Sequence, residues 1–274
     1  MATVESREGR SGGRAGEARA RQLCFEQPLN ERIRKFLRLE FLFDQTVRLL
    51  SVEDAWASRA AIVSLLETRD AMGRGDVKHE LINELERQRT RLRELEGNPH
   101  VQQGTLRQLL EEVAQLIEAL HGQSGQPGEL LSDQGMLEGV HNRLSIPGGT
   151  CDFDLPGFQH WLARPYRERR AALIEWLEAL SLIRRAVETI LTLVRESGQS
   201  SREVAVDGVY QESPDASRPW QLIRVRLPGD SRYFPEISGG KHRISIRFCE
   251  QPMQGGRAIP TTSDVPFELF RCSY

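Results

Sequence analysis

The sequence predicts an α+β protein, with an N-terminal α-helical bundle domain followed by a C-terminal antiparallel β-strand domain. Three observations carry this. Up to Gly198 the apolar residues recur every three or four positions, as on one face of a helix, and beyond it they alternate. The first region is punctuated by capping residues and Gly/Pro breaks, the second by Gly/Pro/Asp/Ser turns at strand intervals. The length, 274 residues, leaves room for two modest domains, each with its own core.

Residues 1–22 are rich in Gly, Arg, Ala and Glu and hold almost nothing large and apolar, so they are expected to be a disordered tail. They also lack the apolar stretch of a secretory signal. The helical domain is expected over 23–198. Its first helix, 29–50, places Leu29, Ile33, Phe36, Leu37 and Phe41 at helical spacing, with Asn30, Arg34 and Arg38 on another face. A second begins near Ser51, which with Asp54 three residues on resembles a capping box, and runs to the break at GRGD. The third, from Asp76, carries Leu81, Leu85, Leu92 and Leu95 with Gln88 at the remaining seam position, and stops at Gly97-Asn98-Pro99. The fourth, 105–121, buries Leu106, Leu109, Leu110, Val113, Leu116, Ile117 and Leu120.

A short helix is expected over 132–142. The stretch 142–156, NRLSIPGGTCDFDLP, then reads as a hairpin around Pro147-Gly148-Gly149, and it is expected to join the β-domain because an isolated hairpin is marginally stable. Two helical patterns follow Pro156, the longer over 167–197. In the β-strand domain, 199–274, strands are expected over 203–210, 220–227, 232–237, 242–250 and 265–271.

Composition narrows the function. The chain has 37 basic and 39 acidic residues, so no global charge drives it onto nucleic acid or anionic lipid. Only Lys35, Lys78 and Lys241 are lysines, so any positive patch is an arginine patch. Apolar runs are a few residues long, far short of the ~20 that span a bilayer, which predicts a soluble protein with no membrane insertion. Cys24, Cys151, Cys249 and Cys272 show no C-x-x-C spacing and read as reduced, buried thiols of a cytoplasmic protein. Gly240-Lys241 lacks the glycine and the Ser/Thr of a phosphate-binding loop, and no zincin, serine-hydrolase or dinucleotide motif occurs. The six histidines are dispersed. The reading is a protein without enzymatic activity, cofactor or metal.

Cations in the β-part stand out. In HRISIRF the pleat sends Ile244, Ile246 and Phe248 to one face and Arg243, Ser245 and Arg247 to the other, and Arg224 and Arg226 alternate with Val225 and Leu227. If these strands lie close with matching faces, one side of a sheet carries an arginine stripe. That stripe reads either as a solvated face or as a docking site for an acidic peptide. Nucleic-acid binding through it is the alternative function; the net charge of −2 and an aromatic content of only 7% weigh against it.

FEQPLNERIRKFLRLEFL, RLSIPGGTCDFDLP, GVYQE and YFPEISGGKHRISIRF, in this order between Leu23 and Leu269, closely resemble the ZapD family of bacterial cell-division proteins. The resemblance implies a non-catalytic homodimer that binds the C-terminal tail of FtsZ and cross-links FtsZ protofilaments into bundles at the mid-cell division ring. It assigns tail binding to Arg34 and Arg38 in the first block, Arg74 in the GRG turn, Arg143 before SIPGG, His160 after DFDLP, and Lys241, Arg243 and Arg247 in the last block. Residues 1–22 have no counterpart in it.

Overall fold

The computed structural model describes residues 22–273 except 74, 126–127, 129–130, 132–134, 215–218, 241–242 and 253–254. Its first element is a strand, β1 (Gln22–Pro28), so the start of the expected helical domain belongs instead to a sheet. β1 pairs antiparallel with β4 (Trp220–Pro228) along its whole length. That pairing positions α1 (Glu31–Leu49). Leu29 N–H donates to the Gln221 carbonyl at 2.9 Å, Asn30 donates its amide to Gln221 Oε1 at 2.6 Å, and Asn30 Oδ1 caps the helix by accepting from Ile33 N–H.

α2 (Ala55–Gly73) is capped by Asp54, whose carboxylate accepts from the N–H groups of Trp56 and Ala57; Ser51 is not the cap. α3 (Val77–Arg93) is capped by Asp76 through His79 N–H, and α4 (Gln103–Gly122) follows. Then come α5 (Gly135–His141) and α6 (Pro156–Leu162). The helix expected over 167–197 is two helices, α7 (Tyr166–Glu178) and α8 (Ser181–Glu196). Leu180 at the break is fully buried, and the apolar spacing Leu177, Leu180, Ile183 runs straight through it. With no Gly or Pro there, the pattern carried no sign of the interruption.

The hairpin expected over 142–156 does not form. Residues 142–155 make successive turns: Arg143, Leu144, Ile146, Gly149 and Cys151 each donate to the carbonyl three residues back. These local bonds satisfy the backbone without a strand partner. Gly149 is required, because a Cβ there would lie 2.7 Å from Ile146 Cβ and 2.8 Å from the Arg143 carbonyl oxygen. Arg59 of α2 anchors the segment by donating to Thr150.

Beyond α8 run β2 (Gly198–Ala205), β3 (Val209–Glu212), β5 (Tyr233–Gly239), β6 (Ile244–Glu250), β7 (Ile259–Pro260) and β8 (Val265–Ser273). The strand expected over 203–210 is split by Asp207-Gly208, both at positive φ, the geometry of a tight hairpin turn. Two antiparallel sheets result, one in the order β1-β4-β8-β2 and one in the order β3-β6-β5, with β7 alongside β6.

The first sheet is buried on both faces. Ile223, Val225 and Leu227 of β4, with Val265, Phe267 and Leu269 of β8, pack on Ile244, Ile246 and Phe248 of β6. From the opposite face, Leu222 and Cys272 enter the helical core beside Leu191 and Val194 of α8. The molecule is thus three layers, helices on sheet on sheet. All four cysteines are free; Cys249 and Cys272 are buried, Cys151 is half-buried, and Cys24 departs from expectation by lying exposed on the edge strand β1.

Leu222 and Ile223 are adjacent and each is fully buried in a different core. Leu222→Ala and Ile223→Ala are each expected to cost about 2–5 kcal/mol of stability, the usual range for emptying a buried aliphatic site. Denaturant unfolding monitored by tryptophan fluorescence checks this.

Candidate functional site

The arginines fall into two groups. One group is bound by carboxylates. Between the helices and the first sheet, Arg195 of α8 contacts Glu26 of β1 at 2.8 Å and Glu40 of α1 at 2.6 Å, and Arg224 contacts Glu26 at 2.9 Å. Arg226 pairs with Glu268 at 3.0 Å and lies over the Phe270 ring. Between the two sheets, Arg271 reaches Glu203 of β2 and Glu212 of β3 at 2.9 and 2.8 Å. Arg32 of α1 pairs with the fully buried Glu84 of α3 at 2.8 Å.

These contacts shift protonation. Burial pushes the Glu26 carboxyl up, but the hydrogen bonds and charges of Arg195 and Arg224 outweigh it and hold its pKa below the ordinary value. Hydrogen bonding to Glu40, reinforced by Glu26, raises the Arg195 pKa against the opposing effect of burial. At Arg271 burial is likewise outweighed by Glu212 and Glu203.

The second group has no carboxylate in hydrogen-bonding contact. Arg38 is exposed on α1 and makes no hydrogen bond or ion pair among the described residues. Arg247 projects from the outer face of β6, where the pleat sets it opposite Glu236 of β5 without an ion pair. Arg243 donates to the neutral Gln211 of β3. The alternation read from HRISIRF holds, since Ile244, Ile246 and Phe248 are fully buried while Arg243 and Arg247 are exposed. A stripe shared with Arg224 and Arg226 does not form. β4 and β6 belong to different sheets, and those two arginines face the helical side, where Glu26 and Glu268 hold them.

The remaining sequence-derived residues are partly gathered. Arg34 sits one turn before Arg38 on α1 and pairs with the exposed Glu31 at 3.2 Å. The β5–β6 turn lies against the chain leading into α1, since a Cβ on Gly239 would fall 2.5 Å from Leu29 Cδ2. The α2–α3 turn lies beside the same helix, where Lys35 contacts Glu80 at 2.6 Å and stands 3.4 Å from a Cβ built on Gly75. Arg74 and Lys241, the predicted residues of these two turns, lie outside the described residues. Arg143 follows His141, which pairs with Asp70 near the end of α2 at 2.9 Å. His160 is separate. It lines a cleft of about 360 Å³ with Met136, Leu155, Trp161 and Arg164, and its helix contacts α2 through Phe158 and Arg59. Arg59 is roughly 20 Å along α2 from the 74 turn at 1.5 Å per residue.

A second cleft, about 540 Å³ and lined by apolar side chains of α3, α4 and α8 including Leu92, Leu109 and Leu193, holds none of the predicted residues. Among the described residues no three His, Cys, Asp or Glu side chains gather as a metal site requires, and no helix is long and apolar enough to cross a membrane. Sequence reasoning missed Phe41, assigned to the core and found 66% exposed. Its signal was its position: it falls on the same helical face as Arg34 and Arg38.

The geometry defines a two-core α+β protein whose structural arginines are sequestered by acids while others stand open, Arg38, Arg243 and Arg247 among them, as do Arg107, Arg167, Arg170, Arg185 and Arg202 elsewhere on the surface. The ZapD profile, described as a cell division protein, matches residues 37–247. The chain is 40% identical over 255 residues to the cell division protein ZapD of Cupriavidus pinatubonensis, covering 92% of this chain and all of that one. It is 37% identical over 251 residues to the cell division protein ZapD of Methylococcus capsulatus, covering 92% and 98%. The chain belongs to the ZapD family of cell division proteins.

Because the folded-state pKa of Glu26 is depressed, its contribution to stability is present above the unfolded value near 4.5 and is lost as pH falls through that value and below. Glu26→Gln is expected to lower stability at neutral pH and to flatten the loss below pH 4.5 relative to wild type. Urea unfolding across that range measures the difference. Arg38→Glu and Arg247→Glu remove no ion pair among the described residues, so each is expected to change stability by about 0.5 kcal/mol or less. Arg195→Glu, which strands two carboxylates, is expected to unfold the protein at much lower denaturant.

Proposed function

We propose that this protein binds the C-terminal tail of FtsZ and, as a homodimer, cross-links FtsZ protofilaments at the cytoplasmic division site, with no catalytic step and no cofactor. One observation carries the reading. Arg38, Arg243 and Arg247 are exposed without a carboxylate contact in a fold where Arg195, Arg224, Arg226 and Arg271 are held by acids. A peptide bearing carboxylates supplies what those open guanidinium groups lack. Family membership supports the choice of partner. Arg34, Arg74, Arg143, His160 and Lys241 complete the proposed tail-binding set. Of the expected tail 1–22, Gln22 belongs to β1, and the rest, which lies outside the described residues, is proposed to be dispensable for folding and bundling.

Cross-linking needs two sites in one particle, and a two-fold dimer provides them; the second attachment gains from effective concentration without a new contact. We place the dimer contact on the apolar surface around Arg59. Trp56 is 73% exposed on α2, and on the 142–155 segment Phe153 is 86% exposed, with Ile146 also outward. Arg59 contacts the Trp56 and Phe158 rings and Thr150, which keeps α2 and the 142–155 turns in one surface. Aromatic anchors of this size, each offering about 150–250 Å² when buried, suit the centre of an isologous interface.

The test is sedimentation of polymerised FtsZ with and without the full chain. Wild type is expected to bring down bundles, and the Arg243→Glu, Arg247→Glu double variant to bind weakly at both low and high salt. A folded double variant that bundles like wild type removes the β6 arginines from the site. Analytical ultracentrifugation is expected to show a wild-type dimer at micromolar concentration and a monomer for Trp56→Ser, Phe153→Ser.

A further inference from the structure

Phe41 lies midway along α1 with two-thirds of its surface in solvent, while Leu39 and Phe43 beside it are buried in the helical core. At about 100° per residue, positions 34, 38, 41 and 45 fall within roughly 60° of arc, opposite Phe36 and Phe43. A single exposed apolar residue is ordinary on a protein surface. This one shares its face with two cations. Arg38, three residues before it, makes no hydrogen bond or ion pair among the described residues, and Arg34 holds only the exposed Glu31.

We infer that Arg34, Arg38 and Phe41 form one recognition stripe for an acidic peptide that also carries a large apolar side chain. Its carboxylates meet the two guanidinium groups and its apolar residue covers the Phe41 ring. Arg34 and Phe41 are about 10 Å apart along the axis at 1.5 Å per residue, or three residues of extended peptide at about 3.3 Å each. The ligand chemistry is therefore a carboxylate two or three residues from a large apolar side chain, and an acidic stretch without that side chain binds weakly. The inference rests on the acidic-tail reading above and adds that charge alone is insufficient. Arginine and aromatic residues are the usual energetic anchors of interfaces, and neither alone distinguishes one acidic segment from another.

The experiment measures fluorescence anisotropy of two labelled peptides against the full-length protein. One is the FtsZ C-terminal tail, and the other the same peptide with its large apolar residues changed to serine and its charges kept. Wild type is expected to bind the first about tenfold more tightly than the second, a typical anchor-sized effect. Phe41→Ser is expected to lose that tenfold at both 50 and about 300 mM salt, since apolar contact is not screened. Phe41→Leu should keep most of the affinity, and the loss at Arg38→Ala should shrink as salt rises. Phe41→Ser should lose nothing further with the serine-changed peptide. Equal binding by wild type and Phe41→Ser overturns this inference and leaves the acidic-tail reading standing. Absence of binding by wild type to either peptide overturns both. A Phe41→Ser variant that sediments as a monomer, where wild type is a dimer, assigns the ring to a second copy and overturns the inference as well.

Discussion

Everything in this fold depends on a sheet that must be buried on both faces. β4 and β8 lie at the centre of the first sheet, and their alternating residues serve two different cores: Leu222 and Cys272 on the helical side, Ile223, Val225 and Leu269 on the sandwich side. A strand buried on one face tolerates polar residues at every second position. Here a polar residue is kept only with a partner, a hydrogen bond from Asn30 for Gln221 and a counter-charge for the arginines. Arg195 with Glu26 and Glu40 supplies it on the helical side, and Arg271 with Glu203 and Glu212 between the sheets. Removing one partner from such a partly buried pair costs more than the pair contributes, because the other charge is left without compensation.

The same side chain therefore does two jobs. Planar guanidinium groups suit enclosed bidentate pairing with carboxylates, which explains why a chain with so few lysines uses arginine between its layers. The open arginines on α1 and β6 are chemically identical to the enclosed ones and differ in exposure and in whether an ion pair closes on them. Arg247 faces the solvent side of β6, while Arg226 lies over Phe270 against Glu268. Whether the fold closes an ion pair across to the adjoining strand decides if an arginine is mortar or an offered contact.

The 142–155 segment follows the same logic at the level of the backbone. A Pro-Gly-Gly turn between short apolar runs is a fair hairpin signal. Yet a hairpin needs a partner sheet, and this segment satisfies its own N–H groups by local turns and is tied to α2 by Arg59. Its apolar residues Ile146 and Phe153 are left outward, and Arg59, which lies over the Trp56 ring, bonds Thr150 between them in the chain. Local satisfaction of the backbone thus produces an apolar surface that sequence pattern assigned to a sheet.

The sequence by itself determined the α+β class, the change from helix to strand at Gly198, most helix and strand positions, and which residues of β6 point inward. Those features depend on period and local capping, and both act within a few residues of the chain. Only the tertiary structure decided the rest. Gln22–Pro28 is a strand because β4, far away in sequence, offers it an edge. The break at Leu180 is invisible to an apolar spacing that continues through it. Phe41 was assigned to the core because Ile33, Phe36 and Leu37 precede it at plausible intervals, whereas α1 buries Leu39 and Phe43 against its neighbours and turns Phe41 out. Arg224 and Arg247 both alternate with apolar residues and each has a glutamate in cross-strand register, yet only Arg224, enclosed between sheet and helices, closes an ion pair, a tertiary property with no local signal in the sequence.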